Sequence, residues 1–323
     1  MGTLVVGGAG FVGKRLLRVF NREGVQCHVA DIKSTSSSEV DIFLDVSKSE
    51  TFENIPEVDT IINLAAEHRD NVRPASRYFD VNVKGAMNIC DAARRMGVTK
   101  IIFTSSVAIY GFCEGETDET GEPNYFNEYG RTKFLAEQVY REWYEEAPDQ
   151  RCLVIIRPTV IFGEGNRGNV YNLLRQVASG YFVMFGSGEN QKSMAYVDNV
   201  AEFLYFTSRY SIGIHIHNYV DKPDLSMNEV VRITRRQLKL DKALDFRLPA
   251  FVGLAGGWLL DRISSLLKRP FPVSLIRIKK FMASTRFVST TIPSEFVAPT
   301  ELRAALARTI AAEFEQDHGN TES

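Results

Sequence analysis

Leu4-Val-Val6 followed by Gly7-Gly8-Ala9-Gly10-Phe11-Val12-Gly13 decides how the rest of the chain is read. A short apolar run leads into a cluster of glycines, and a helical pattern follows from Lys14 to Phe20. The order is strand, glycine turn, helix. The turn fits Gly-x-Gly-x-x-Gly counted from Gly8 and Gly-x-x-Gly-x-x-Gly counted from Gly7. Glycines there let the backbone approach a pyrophosphate, which sits against the N-terminus of the helix. The pattern alone is weak; the strand before it and the helix after it give it weight.

Outward from the turn, Val25 to Ala30 reads as a second strand ending at Asp31. An acid about 20 residues past such glycines binds the adenosine ribose hydroxyls and repels a 2′-phosphate. That favours NAD over NADP; Lys33 is a mild counter-signal, and a plain turn role for Asp31 is the alternative. Val40 to Leu44 reads as a third strand, followed by Asp45-Val46, and Thr60 to Leu64 as a fourth, ending in Asn63-Leu-Ala-Ala66. Val81-Asn82-Val-Lys-Gly85 opens a helix through Met96, and Lys100 to Phe103 is a fifth strand before Thr104-Ser105-Ser106. Strands alternating with helices predict an α/β fold, a Rossmann-type doubly wound parallel sheet. Ligands of such sheets bind at the carboxyl ends of the strands, where the glycine turn, Asp31, Asn63 to Ala66 and Ser106 all fall.

Tyr129-Gly-Arg-Thr-Lys133 then starts a long helix running to about Glu145. Residues four apart share a helix face, so the Lys133 ammonium can approach the Tyr129 phenol. A nearby cation favours the phenolate and lowers the tyrosine pKa towards neutrality. A tyrosine so tuned can exchange a proton with an alcohol or a ketone. The pattern also arises by chance, and its weight comes from the strand-end residues upstream.

Composition sets outer limits. The 323 residues suffice for one large α/β domain and a smaller lobe. A net charge of -2 gives no electrostatic case for nucleic acid. Cys27, Cys90, Cys113 and Cys152 are scattered without metal-ligand spacing; they read as reduced thiols of a cytoplasmic protein, and no metal is expected. Met1 leads directly into a strand without a signal pattern. No apolar run reaches the roughly 18 residues that span a bilayer.

On Gly7, Gly10, Gly13, Asp31, Asp45-Val46, Asn63-Leu-Ala-Ala66, Asn82, Ser106 and Tyr129/Lys133, the chain resembles the extended short-chain dehydrogenase/reductase family. The resemblance implies roles. Gly7, Gly10, Phe11, Val12 and Gly13 would hold NAD together with Asp31. Asp45 and Val46 would contact adenine, and Leu64, Ala65, Ala66 and Asn82 would complete the cofactor channel. Ser106 would hydrogen-bond the reacting oxygen, with Ser105 the neighbouring register. Tyr129 would be the acid/base, and Lys133 would also hold the nicotinamide ribose. Substrate contacts would come from His68, Ser106, Thr159, Asn169 and Lys192. The family also implies a homodimer through a four-helix contact.

Later segments extend the resemblance. Leu153 to Arg157 reads as a strand, and Arg157-Pro-Thr-Val-Ile-Phe-Gly163 fits the family's strand-end motif before the substrate region. Gly188 to Ala201 fits the segment that usually binds a nucleotide-sugar diphosphate, but Lys192 replaces the usual Arg and Ser193 the usual Asp. Lysine supplies charge without the bidentate geometry of arginine. Residues 65–70, 162–172, 192–196 and 218–224 resemble one branch of the family, the bacterial 4-epimerases of O-antigen (lipopolysaccharide) assembly. That branch implies interconversion of N-acetylglucosamine and N-acetylgalactosamine carried on undecaprenyl diphosphate. Rival readings are a UDP-sugar 4-epimerase, a 4-keto nucleotide-sugar reductase using the same residues, and a non-catalytic dinucleotide-binding protein. The intact Ser106, Tyr129 and Lys133 stand against the last. The expected domains are 1–165 for NAD and 166–323 for substrate, with about 177–220 returning to the first sheet.

Leu248 to Leu260 carries no charge, and Arg262 to Lys280 holds Arg262, Lys268, Arg269, Arg277, Lys279 and Lys280 without an acid. Phe251, Leu254, Ala255, Trp258, Leu259, Ile263, Leu266 and Leu267 make a helical apolar stripe. Two readings stay open. One is a peripheral segment on the inner face of the cytoplasmic membrane, with Trp258 at the headgroup level. The other is a core helix of the second lobe. His68 and Arg69 read as substrate-facing or as solvated loop. His215 and His217 alternate on a strand and share a face, a pair too small for a metal site. Asp198 reads as a helix cap.

Overall fold

The computed structural model describes residues 2–33, 40–69, 72–112, 115–240, 246–267 and 282–319. In chain order the elements begin β1 (Thr3–Val6), α1 (Phe11–Arg22), β2 (Cys27–Asp31), β3 (Ile42–Phe43), β4 (Thr60–Asn63), α2 (Ser76–Phe79), α3 (Gly85–Met96) and β5 (Lys100–Thr104). They continue with β6 (Glu116–Thr117), α4 (Glu128–Glu145), β7 (Cys152–Pro158), β8 (Val160–Phe162), α5 (Asn169–Ala178), β9 (Val183–Phe185) and β10 (Gln191–Tyr196). Then come α6 (Val197–Ser208), β11 (Gly213–Tyr219), β12 (Asp221–Ser226), α7 (Met227–Gln237), β13 (Phe246–Leu248), α8 (Ala250–Leu267), β14 (Arg286–Phe287) and α9 (Leu302–Gly319).

Two units result. One comprises Met1–Ile161, Ala195–Asp221 and Phe287–Thr300; the other comprises Phe162–Met194, Lys222–Arg286 and Glu301–Ser323. The return to the first unit therefore begins at Ala195, later than the expected position near 177. Val177, Phe182 and Met184 are held back in the second unit because they pack on Met227 and Val231. The further return of Phe287–Thr300 was not expected.

In the first unit, seven parallel strands form one sheet in the order β11-β7-β5-β4-β1-β2-β3. The order reverses between β1 and β4, so the loops leaving these strands diverge and leave a crevice at their carboxyl ends. Register aligns those ends: Val6 lies beside Ala30 and Asn63, Asn63 beside Phe103, and Thr104 beside Ile156. Successive strand residues face opposite sides. Val6, Ile61, Ile101 and Phe103 pack with Ala86, Ile89, Ala136 and Tyr140 of α3 and α4. Val5, Ile62, Ile102 and Val154 pack with Leu16, Phe20, Ala201 and Leu204 of α1 and α6. Burial on both faces is why these strands read as continuous apolar runs. Each such side chain contributes roughly 1.5–3 kcal/mol when fully buried.

The helix expected from Val81 starts earlier, at Ser76, and Asp80–Lys84 forms a π-helical turn before α3. Asn82 lies in that turn and is buried. Asp198 does not cap α6. The helix follows β10 without a break, so Tyr196 is the N-cap, and Asp198 sits in the first turn 3.5 Å from Arg15. In the second unit, α7 packs against α5 and α9. It opens with a capping box, in which the Glu229 N–H donates to Ser226 Oγ at 3.2 Å and the Ser226 N–H donates to Glu229 Oε2 at 2.9 Å.

Candidate active site

The glycine turn is held by close backbone contacts. Gly7 has φ +79°, and a Cβ on it would lie 2.8 Å from the Ala65 nitrogen. A Cβ on Gly13 would lie 2.4 Å from the Gly8 carbonyl oxygen. Gly10 is the N-cap of α1 and supplies no side chain to its first turn. The opening amides of α1, at Phe11, Val12 and Gly13, are left for an anion. A cradle that side chains would fill fits a dinucleotide pyrophosphate.

Asp31 is 7% exposed and grips this turn. Its Oδ2 accepts from the Ala9 N–H at 3.1 Å and its Oδ1 from the Lys33 N–H at 3.0 Å. Each carboxylate oxygen keeps capacity for a second hydrogen bond. So the turn role and the ribose role are compatible. Asp45 is half-buried, its Oδ1 accepting from the Ser47 hydroxyl at 2.7 Å; Val46 is buried, with its carbonyl accepting from Asn88 Nδ2 at 2.8 Å. Leu64, Ala65 and Ala66 are half-buried beyond β4, where Asn63 Oδ1 accepts from the Ala65 N–H at 3.0 Å.

Asn82 is a bracket rather than an open contact. Its Oδ1 accepts from the Glu67 N–H at 2.9 Å, and its Nδ2 donates to the Glu67 carbonyl at 3.1 Å and to Thr132 Oγ1 at 2.9 Å. It thereby ties the loop after β4 to α4. Glu67 also pairs with Arg69 at 2.9 Å and Arg77 at 2.8 Å, and the hydrogen bond from Arg69 holds its carboxyl below the usual range. His68 is exposed.

Ser106 and Tyr129 meet because two backbones come close. Asn127 caps α4, accepting from the Gly130 N–H at 2.8 Å. A Cβ on Gly130 would lie 2.4 Å from the Ala108 carbonyl oxygen, so only glycine lets α4 approach the turn Val107–Tyr110 that Ser106 caps. Ser106 Oγ accepts from the Ala108 N–H at 3.1 Å and hydrogen-bonds the Tyr129 phenol. Ser105 is buried and donates instead to Glu137 Oε1 at 2.5 Å.

The expected effect of Lys133 on Tyr129 is corrected. Burial pushes the Tyr129 phenol up, and only the Ser106 hydrogen bond opposes this. Lys133 is buried, donates to the Thr104 carbonyl at 2.7 Å and lies 4.7 Å from the Phe103 ring centre. Desolvation brings its own pKa down to about 7.

Thr159 is buried beyond β7, and its hydroxyl has no partner among the described residues. In the second unit, Asn169 is the exposed first residue of α5. Lys192 donates to the Ala283 carbonyl, and burial lowers its pKa to about 8. Ser193 is buried and donates to Asp224 Oδ1 at 2.7 Å. His217 is buried against Thr291 Oγ1 at 2.8 Å, and desolvation lowers it to about 4.

Sequence reasoning missed Glu137 and Arg157 as a pair. Glu137 is fully buried, and the Arg157 guanidinium meets it with Nε at 2.9 Å and Nη2 at 2.6 Å. One signal was available: Glu137 stands four residues after Lys133, on the face that buries Ala136 and Tyr140.

A pyrophosphate cradle at the point where strand order reverses, with a tyrosine and a serine in contact two strands away, defines a nucleotide-cofactor protein of the short-chain dehydrogenase/reductase kind. The chain belongs to the NAD dependent epimerase/dehydratase family, whose profile matches residues 3–218. It is 45% identical over 314 residues to the N-acetyl-alpha-D-glucosaminyl-diphospho-ditrans,octacis-undecaprenol 4-epimerase of Escherichia coli O157:H7, covering 96% of this chain and 95% of that protein. It is 26% identical over 216 residues to a UDP-glucose 4-epimerase of Vibrio cholerae, covering 62% of this chain and 64% of that one. Among solved structures, the UDP-glucose 4-epimerase of Thermotoga maritima with UDP-glucose matches at TM-score 0.76 and 20% identity, over 97% of this chain and 98% of that one. The UDP-N-acetylglucosamine 4-epimerase of Bacillus cereus matches at TM-score 0.73 and 14% identity, over 100% of both chains. These last two likenesses bear on the fold.

Proposed function

We propose that the chain is an NAD-dependent 4-epimerase that interconverts N-acetylglucosamine and N-acetylgalactosamine on undecaprenyl diphosphate, for surface-polysaccharide (O-antigen) synthesis. The observation that carries this reading is 45% identity along nearly the whole of both chains to the relative of that name. The opening amides of α1 and the glycine cradle hold the pyrophosphate of NAD, Asp31 the adenosine ribose, and Asp45 and Val46 the adenine. Leu64, Ala65 and Ala66 wall the channel, Asn82 fixes its loop, and Lys133 holds the nicotinamide ribose. Reversible hydride acceptance is the chemistry that NAD supplies when bound.

Tyr129 takes the proton of the sugar 4-hydroxyl and later returns it. Burial makes its phenolate a strong base, and the Ser106 hydrogen bond offsets part of the cost of forming it. Ser106 donates to the sugar oxygen as it becomes a carbonyl. The Thr159 hydroxyl, which has no partner among the described residues, binds a polar group of the sugar, and His68, Asn169 and Lys192 complete the proposed substrate set. The test is mass spectrometry of the sugar formed from undecaprenyl-diphosphate-linked N-acetylglucosamine, and separately from UDP-N-acetylglucosamine, without added nicotinamide. N-acetylgalactosamine on the lipid is the expected product. An absolute need for stoichiometric NAD(P)H would replace this reading with the reductase.

Asp31→Ala weakens NAD about tenfold to a hundredfold, the cost of losing hydrogen bonds to a carboxylate, and narrows the preference over NADP. Titration of both cofactors checks this. An unchanged preference would leave Asp31 as a turn residue alone.

A polyprenyl-linked sugar stays at the membrane surface, so the proposal includes peripheral attachment through α8, on the inner face of the cytoplasmic membrane. Among the described residues no helix is long and apolar enough to cross a membrane. Phe251 is 72% exposed and Trp258 53% exposed on α8, and Arg262 lies 5.3 Å from the Trp258 ring centre. Lys268, Arg269, Arg277, Lys279 and Lys280 lie outside the described residues. Apolar burial plus attraction to anionic lipid gives salt-sensitive binding. The protein is expected to co-sediment with phosphatidylglycerol vesicles at low salt and partly release at high salt. Phe251→Ser with Trp258→Ser should abolish co-sedimentation while the fold and NAD content survive. Unfolding of that variant would make α8 a core helix. A homodimer completes the proposal; Phe79 and Met87 expose apolar surface on α2 and α3. A monomeric mass by light scattering would remove it.

A further inference from the structure

We infer that Ser105, Glu137 and Arg157 form a buried positioning clamp that sets Ser106 against Tyr129, so that catalysis depends on side chains that touch neither sugar nor cofactor. Glu137 lies on α4, two turns beyond Tyr129, and is 0% exposed. It accepts from Ser105 Oγ at 2.5 Å, on the residue just before Ser106. It also takes both prongs of Arg157 from β7, at 2.9 and 2.6 Å. The remaining Arg157 nitrogen, Nη1, donates to the Tyr110 hydroxyl at 2.7 Å and the Glu119 carbonyl at 3.2 Å. Tyr110 ends the turn that Ser106 begins, and its hydroxyl donates on to Asn218 Oδ1 at 2.9 Å. The Ser105 N–H donates to the Ile156 carbonyl at 2.7 Å, next to Arg157.

Ser106 is therefore gripped on both sides, at Ser105 and at Tyr110, by one ion pair rooted in the helix that carries Tyr129. A buried ion pair is weak support for stability, because desolvation consumes most of the attraction and apolar replacements are often neutral. Its value here lies in direction. A bidentate arginine fixes angles as well as distance, and Glu137 Oε1 accepts from both Ser105 Oγ and Arg157 Nε, which ties the serine to the ion pair. A hydroxyl that must meet a developing carbonyl gains from that rigidity, since a displacement of about 1 Å can cost on the order of a hundredfold in rate.

The kinetic arm of the test rests on the proposed epimerisation; the exchange arm does not. Ser105→Ala cuts one link and leaves the ion pair in place. It is expected to lower kcat about tenfold to a hundredfold with KM, NAD content and melting temperature unchanged. Ser105→Ala with Ser106→Ala should be no slower than Ser106→Ala alone, because the clamp acts through Ser106. Hydrogen exchange of the amides at 105–110 should quicken in Ser105→Ala, above all at Ala108, which donates to Ser106 Oγ. Glu137→Gln should show the same pattern more strongly if it folds. Rate effects that multiply in the double variant, or unchanged exchange at 105–110, would overturn the clamp and leave a fold-stabilising pair. If wild type epimerises neither sugar, the proposed function fails, and exchange alone decides the clamp.

Discussion

Tyr129→Phe should reduce epimerisation by about a thousandfold, within the 10²–10⁴-fold range of general acid–base catalysis, while NAD stays bound. Only the phenolic oxygen is lost. The ring keeps its place because α4 is positioned by other groups: the Asn127 cap, the close passage of Gly130 past Ala108, and Thr132 under Asn82. Ser106 Oγ loses the phenol but still accepts from the Ala108 N–H. Lys133 and Ser105 are already engaged elsewhere: Lys133 is turned to the Thr104 carbonyl, and Ser105 is committed to Glu137. The checks are initial rates under saturating sugar, and cofactor content from released NAD. Turnover close to wild type would remove Tyr129 from the mechanism. Loss of NAD along with activity would give Tyr129 a binding role in place of a chemical one.

Most of the first unit was legible because its signals are local. A strand, a glycine turn and a helix occupy the opening residues, and Asp31, Asn63 and Ser106 each follow an apolar run that β2, β4 and β5 match. The return of Phe287–Thr300 had no such signal. It is fastened through Glu119, which accepts from Ser289, from the Thr290 N–H at 3.0 Å and from Thr291 Oγ1 at 3.0 Å. Those partners stand far apart in sequence, and β14 is only two residues long, so neither periodicity nor composition marks them. The relation of Lys133 to Tyr129 failed for a different reason. Spacing of four gives a common face but not the direction of a long side chain, and Lys133 Nζ donates to the Thr104 carbonyl at the end of β5. Glu137, Arg157 and Ser105 come from three elements, and only the sheet register brings them together.

Gly13→Ala should weaken NAD about tenfold to a hundredfold, matching the 1–3 kcal/mol that forced overpacking typically costs. The added Cβ would stand 2.4 Å from the Gly8 carbonyl oxygen and 2.6 Å from both the Gly8 carbonyl carbon and Cα. These are backbone atoms, so no rotamer change relieves the contact. The turn must open, or the start of α1 must move. Either shift pulls the amides of Phe11, Val12 and position 13 away from the pyrophosphate they are meant to hold. Gly8 cannot retreat freely, since a Cβ on it would already lie 2.6 Å from Val29 Cγ1 in β2. The control is Gly24→Ala, at the turn after α1. Gly24 has φ +69°, so alanine is strained there and some stability is lost, but nothing lies within 4 Å of the new Cβ. NAD affinity of that variant should match wild type. Isothermal titration of both, alongside their melting temperatures, separates a closed cradle from general destabilisation. If Gly13→Ala binds NAD as wild type does, the turn tolerates a side chain, and the pyrophosphate is held somewhere other than the start of α1.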